Sequence, residues 1–532
     1  MARIELANAT IGDLQRALAT RETSATALVA AYLARIAAYD RAGPSINAVR
    51  EVNPDASVLA AALDAGRTDT LRPLAGIPIL LKDNIATADR QHTTAGSLAL
   101  AEARARQDAT VARLLREAGA IILGKANLTE FANILAIDMP AGYSSLGGQV
   151  RNPYAPQLDE REVPLVSPGG SSSGSAAAVA AGLAAAALGT ETSGSLLSPA
   201  CQNGLVTVKP TVGLLSRAGI VPIAHSQDTA GPLTRNVRDA AILLNVLAAP
   251  DPLDPATAAL RRPADYTSGL DADGLRGARI GVPSDTADPL NNVYYGPLPP
   301  RAATIMAEAI AALEAAGATI IRANLPTAGW IGGPGTEIAI LNRNRESPTF
   351  GQAVRRPLVF IYELKHDLDL YLHDWASETV MRSLDDIVAF NTAHAGEALR
   401  FGQDLFLAAA ATRGDLGEPE YLSARLMDLR SSRTLGLDAY MDRYRLDAVV
   451  FPGAAGAAIA AKAGYPSVQV PAGFVSGRSG EETPEYPFGV TFAGRAWGEP
   501  LLLRLAYAFE QATLARRPPS TTPELRQRVS RR

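Results

Sequence analysis

Two short stretches of the 532-residue chain carry residue types suited to chemistry: Gly169-Gly-Ser-Ser-Ser-Gly-Ser175 and Gly189-Thr-Glu-Thr-Ser-Gly-Ser195, with an alanine-rich stretch between them. Alone, a glycine–serine cluster reads equally well as a flexible linker. This one runs straight into small residues without charged decoration, which places it against close-packed backbone. No Gly-Lys-Ser/Thr follows to hold phosphates, and no G-x-G-x-x-G opens a helix after a strand. Nucleotide binding is therefore disfavoured. Acyl transfer fits better, because an attacking hydroxyl needs nearby backbone N–H groups free to donate to the developing oxyanion, and bulky side chains block that approach. Thr192-Ser-Gly-Ser195 supplies such a row, with the N–H groups of Thr192, Ser193 and Gly194 beside the Ser195 hydroxyl.

Serine at its ordinary pKa is a weak nucleophile and needs a base. His225 is the nearest histidine, and a Ser195–His225–Asp228 triad is one candidate. Asp and His three residues apart on one loop are poorly placed to orient each other. A desolvated lysine is the alternative, since burial lowers its pKa into the catalytic range. Arginine does not release its proton in proteins. Only five of the 50 Lys and Arg residues are lysine: Lys82, Lys125, Lys209, Lys365 and Lys462. A chain that defaults to arginine has a reason for each lysine. Lys82 ends the apolar run Ile-Pro-Ile-Leu-Leu, where a charge costs desolvation energy, and it fits the base best. Pairing with Asp83 is its structural alternative, and Lys209 is the competing base.

These groups need a rigid frame. Residues 1–65 read as helical, with Thr10 and Ser24 as N-cap signals. Apolar runs at 77–81, 120–123, 278–282, 447–451 and 467–473 read as buried strands, and helical patterns alternate with them. That alternation predicts an α/β layered fold with a mostly parallel or mixed sheet. Residues 66–532 read as one core, with irregular excursions near 137–170, 283–300 and 324–358.

Composition narrows the function classes. A net charge of −4 and a pI near 5.9 give no footprint for nucleic acid or an anionic membrane surface. The single cysteine, Cys201, and five scattered histidines (His92, His225, His366, His373, His394) carry no metal-binding spacing. No metal or cofactor is expected. The N-terminal twenty residues lack a signal-peptide core, and the small-apolar run from Ala176 to Leu188 is too short to span a bilayer. A cytoplasmic chain is expected, or a periplasmic one if a signal peptide was removed.

Three motifs taken together resemble the amidase signature family. GIPILLKDNI is similar to its lysine motif, SPGGSSSGSAAAVAAG with ALGTETSGSLLSPA to its serine-rich signature, and VKPTVGLLSRAGIVPIAHSQDTAGPLTRNVRDAA to its downstream block. A weaker echo, AGYPSVQVPAG then PFGVTFAGRAWGEPLLLRLAYAFEQ, extends the likeness towards the C-terminus. Within the family the wording is nearest the bacterial peptide amidases. The resemblance implies a large α/β/α sandwich around a twisted mixed β-sheet, and a Ser–cis-Ser–Lys triad formed by Ser195, Ser171 and Lys82. Ser171 and Ser195 lie 24 positions apart, as in the family. It also implies an acyl-enzyme on Ser195, an oxyanion hole at Thr192, Ser193 and Gly194, and Ile137 as an acyl-pocket residue. Glu191, Ser193 and Leu197 stand where the family commonly has aspartate, glycine and arginine. The missing arginine argues against the glutamine-hydrolysing subunit of the tRNA-dependent amidotransferase. The expected activity is hydrolysis of linear carboxylic amides, C-terminal peptide amides among them, or alternatively of aryl-amides or carbamates. The expected partner is a small-molecule amide substrate, with the chain a monomer or homodimer.

Overall fold

The computed structural model describes residues 4–66, 72–288, 292–333, 335–475 and 484–525. Among these, eleven strands form one sheet. In chain order they are β1 (Val49–Val52), β2 (Pro78–Lys82), β3 (Ile121–Ala126), β4 (Ala186–Glu191), β5 (Val206–Lys209), β6 (Thr229–Thr234), β7 (Arg279–Val282), β8 (Thr319–Arg322), β9 (Ala448–Pro452), β10 (Ser467–Val475) and β11 (Tyr486–Ala493). The spatial order is β1-β3-β2-β4-β6-β5-β10-β11-β9-β7-β8. β3, β2 and β4 run parallel, as do β9, β7 and β8. The strands between those two groups pair antiparallel. The sheet is mixed, with helices flanking it in an α/β/α arrangement.

Every residue of β2, β3, β4, β5, β6 and β9 is buried, which is why these segments read as continuous apolar or small-residue runs rather than alternating ones. The helix Ser173–Ala180 is also buried on all sides. Its small side chains let backbone approach backbone: a Cβ on Gly174 would sit 2.3 Å from the Ala48 carbonyl oxygen and 2.4 Å from that of Asn127. Alanine and glycine here are a packing requirement, not low complexity.

The N-terminal region departs from the helical expectation. Thr10 caps the helix Ile11–Ala19 in a reciprocal box with Asp13, and Ser24 caps Ala25–Arg35. Yet β1 follows them and pairs antiparallel with β3 across a register shift. A four-residue edge strand (VREV) with a bulge has too little alternation to betray itself. The excursion at 324–358 is also more ordered than expected. Glu337–Leu341 and Ala353–Pro357 form an antiparallel hairpin that leads into the helix Leu358–Asp374. That helix packs on a second apolar core containing Phe131, Ile137, Leu364 and Phe406, apart from the main one around the sheet.

Candidate active site

Lys82 ends β2, between β3 and β4, with no exposed surface. Its Nζ lies 2.8 Å from Ser171 Oγ, 2.9 Å from Thr190 Oγ1 and 3.3 Å from the Thr190 carbonyl oxygen. Asn84 also donates to Thr190 Oγ1, at 3.0 Å. Among the described residues Lys82 makes no ion pair; its neighbour Asp83 pairs instead with Arg50 at 2.6 Å. Burial without a contacting carboxylate drives the Lys82 pKa down to about 7, a shift that the more distant Asp228 and Glu191 only partly oppose. The three contacts have a chemical logic. The Thr190 carbonyl can only accept, so a neutral amine keeps its lone pair for a hydroxyl, and the Ser171 O–H can supply it.

The serine cluster divides into one serine facing the lysine and others that staple the backbone. Ser172 Oγ donates to the Thr190 carbonyl at 3.0 Å and accepts from the Thr190 N–H at 3.2 Å. Ser173 donates to the Gly169 carbonyl, and Ser175 Oγ to that of Leu188 at 3.1 Å. These bonds fix the loop to β4 and hold Ser171 under Lys82. The Gly170–Ser171 peptide is cis. The Ser172 N–H donates to the Ser195 carbonyl at 3.2 Å, which ties the two serine loops directly together.

Ser195 is 8% exposed, on a turn shaped from both ends. The buried Glu191 carboxylate accepts the N–H groups of Leu196 at 2.7 Å and Leu197 at 3.0 Å, and the Ser198 N–H bonds to the Gly194 carbonyl at 2.8 Å. Gly194 takes a φ of +87°, which other residues adopt only with strain. Among the described residues, the N–H groups of Thr192, Ser193, Gly194 and Ser195 donate no hydrogen bond within the chain. They form a row of donors that is free to meet a ligand oxygen. Asp228 adds support: its half-buried carboxylate accepts from the Thr192 hydroxyl and, at 2.9 Å each, from the N–H groups of Ile223 and Ala224.

The other expected residues lie elsewhere. His225 is paired with Asp367, at 2.9 Å, and not with Asp228, whose carboxylate is taken up by Thr192 and the loop backbone. The Ser195–His225–Asp228 arrangement is not formed. Lys209 is buried, with its pKa pushed down to about 8, but its Nζ bonds to the carbonyl of the adjacent Pro210 at 3.0 Å. Ile137 is fully buried in the second core. It is not among the residues that line either of the two cavities described next. Ile134, three residues earlier, lines the cavity that holds Ser195.

Two cavities meet at Thr192, Ala132 and Ile223. The one of about 190 Å³ holds Ser195 and Ser193 and is walled by Ile134, Phe360, Leu405 and Arg356. The one of about 330 Å³ reaches Thr190 and Asn84 and is walled by Asp228, Tyr371 and Trp375. The helix Leu358–Asp374 covers both, with Phe360 and Ile361 over the first and Leu370 and Tyr371 over the second. Sequence reasoning missed Thr190, Asn84 and this helix. Thr190 and Asn84 flank residues already singled out, whereas the helix sits far along the chain without a motif.

Fold and site together define an α/β/α enzyme that hydrolyses amides. The chain belongs to the amidase family, whose model, described as Amidase, matches residues 27–330. The solved structure of native peptide amidase from Stenotrophomonas maltophilia superposes with a TM-score of 0.82 at 43% identity, covering 96% of this chain and 98% of that one. A probable amidase of Arabidopsis thaliana is 38% identical over 520 residues, 96% of this chain and 91% of the relative. A glutamyl-tRNA(Gln) amidotransferase subunit of Moorella thermoacetica is 34% identical over 96% of this chain and 98% of its own length. Among the described residues no helix is long and apolar enough to cross a membrane.

Proposed function

We propose that this chain hydrolyses linear carboxylic amides, C-terminal peptide amides among them, through an acyl-enzyme on Ser195. The observation that carries the reading is the 2.8 Å contact between the buried Lys82 amine and Ser171, one backbone hydrogen bond away from Ser195 and its unpaired N–H row. Neutral Lys82 takes the Ser171 proton while Ser171 takes that of Ser195. Ser195 Oγ then bonds to the carbonyl carbon, and the carbonyl electron pair moves to the oxygen, held by the N–H groups of Thr192, Ser193 and Gly194. Collapse breaks the C–N bond as the Ser171 hydroxyl gives its proton to the departing nitrogen and recovers one from Lys82. Water, deprotonated along the same route, cleaves the ester and frees the acid.

The cavity beside Ser195 sets Ile134, Phe360, Ile361 and Leu405 against the polar Asn133 and Arg356, which suits an acyl group with both apolar and hydrogen-bonding parts. Support for peptide amides comes from the extensive likeness to the Stenotrophomonas maltophilia peptide amidase. Tyr371 and Trp375 in the larger cavity favour, as a second reading, an aromatic leaving group such as an anilide. A hydrolysis panel of peptide amides, anilides, carbamates and simple aliphatic amides separates the two. The expected result is the highest kcat/KM on a peptide amide, abolished in Ser195→Ala. Higher kcat/KM on anilides selects the second reading, and turnover that survives Ser195→Ala overturns both.

A further inference from the structure

Far from each other in sequence, two of the five histidines meet on one carboxylate. His366 and Asp367 lie on the helix Leu358–Asp374, and His225 lies on the loop that Asp228 closes. His225 Nδ1 is 2.9 Å from each Asp367 oxygen, and His366 Nδ1 is 2.8 Å from Oδ1. Potential ligand atoms from the three residues all lie within 4.8 Å of one another. Glu363, one turn earlier and fully buried, brings a carboxylate oxygen to 3.4 Å from His225 Nδ1. It is held there by the Tyr421 hydroxyl at 2.8 Å and the Ser226 N–H at 2.9 Å. Arg217 donates to the His225 carbonyl, but its charge is matched by Asp254 in a two-point contact.

We propose that His225, His366 and Asp367 bind one borderline divalent cation, zinc(II) in the first instance, at the rim of the larger cavity. Two imidazole nitrogens with a carboxylate oxygen suit zinc, whereas magnesium and calcium take oxygen ligands. Ligand atoms of a tetrahedral zinc site stand about 3.3 Å apart, given bonds of about 2.0–2.1 Å. The Asp367 contacts are slightly tighter than that, and the half-exposed imidazoles have room to adjust. Each ring binds through Nδ1 as neutral imidazole with its proton on Nε2, so an imidazolium gives its Nδ1 proton to water and a neutral Nδ1–H ring changes tautomer. Asp367 and the buried Glu363 supply the negative charge that offsets the ion, and a coordination position stays open towards the cavity. The site is separate from Lys82 and Ser195, so it stands or falls independently of the hydrolytic reading.

The test is calorimetric titration of chelator-stripped full-length protein with zinc chloride, with magnesium chloride as the parallel probe. The expected result is one zinc and no magnesium bound per chain, with affinity falling about tenfold or more in His366→Ala. His366→Gln, which keeps the bulk and removes the imidazole, should lose affinity equally. His366 lines neither cavity, so amide hydrolysis by the metal-free His366→Ala protein should match the wild type. Absence of zinc uptake by the wild type, or equal zinc affinity in wild type and both variants, overturns the site.

Discussion

At the scale of single residues, the proposed chemistry rests on where a lysine amine is kept dry. Four of the five lysines, Lys82, Lys125, Lys209 and Lys462, are buried, so burial alone does not single out a base. Partners do. Lys462 is neutralised by Asp428, Lys125 bonds to the Ile85 carbonyl and the Thr93 hydroxyl, and Lys209 bonds to the Pro210 carbonyl. Lys82 alone of the four reaches a serine. Lys82→Ala should therefore lower kcat by about 10²- to 10⁴-fold, whereas Lys209→Ala should stay within about tenfold of wild type where it folds. The reverse pattern would make Lys209 the base. Because Lys82 accepts a proton only when neutral and its pKa lies at about 7, kcat/KM should climb with pH through that point and be depressed below it. A profile flat from about pH 5 to 8 would remove Lys82 from the proton path.

At the scale of elements, the two serine loops, β2 and the buried helix after Ser172 were legible because small residues and a solitary lysine are costly choices elsewhere. The apolar strands were legible for the same reason: buried on both faces, they cannot alternate. The wall of the cavity holding Ser195 was legible only in part, at the 324–358 excursion. It is built by Ile134, by the hairpin end at Arg356 and Pro357, and by Phe360 and Ile361, ordinary residues that only tertiary packing brings to Ser195. A likeness carried by motifs locates a stretch rather than a side chain: Ile137 sits in the second core, and Ile134, three residues earlier, lines the cavity that holds Ser195. Ile134→Trp should cut kcat/KM for bulky acyl groups while sparing small ones. Ile137→Trp should instead leave acyl preference unchanged and cost about 1–3 kcal/mol of stability by overpacking, visible as a lower Tm. If Ile137→Trp alone changes the acyl-size profile, the cavity assignment is wrong.

For the whole molecule, the question is whether one chain suffices. The likeness to the Moorella amidotransferase protein spans nearly the full length, yet Leu197, where the family often has arginine, is buried at the start of its helix. The residues of the proposed relay and N–H row, Lys82, Ser171 and Thr192 to Ser195, all belong to this chain. Purified protein should hydrolyse amides without any added polypeptide, and chelators should leave that rate within about twofold, since buried lysine supplies the base. Activity that appears only with a copurifying partner would favour the amidotransferase reading, and a large loss in chelator would show that an ion takes part in hydrolysis.

The helix Leu358–Asp374 covers two rooms with one beam. Its side chains cannot be re-aimed over the acyl cavity without tilting those over the neighbouring one, since a helix moves as a unit. Selectivity for the two halves of an amide is thus mechanically linked, and paired substitutions at Phe360 and Tyr371 should depart from additivity although they face different cavities. Attempts to broaden one specificity independently will be better placed at Ile134, which lies outside that helix.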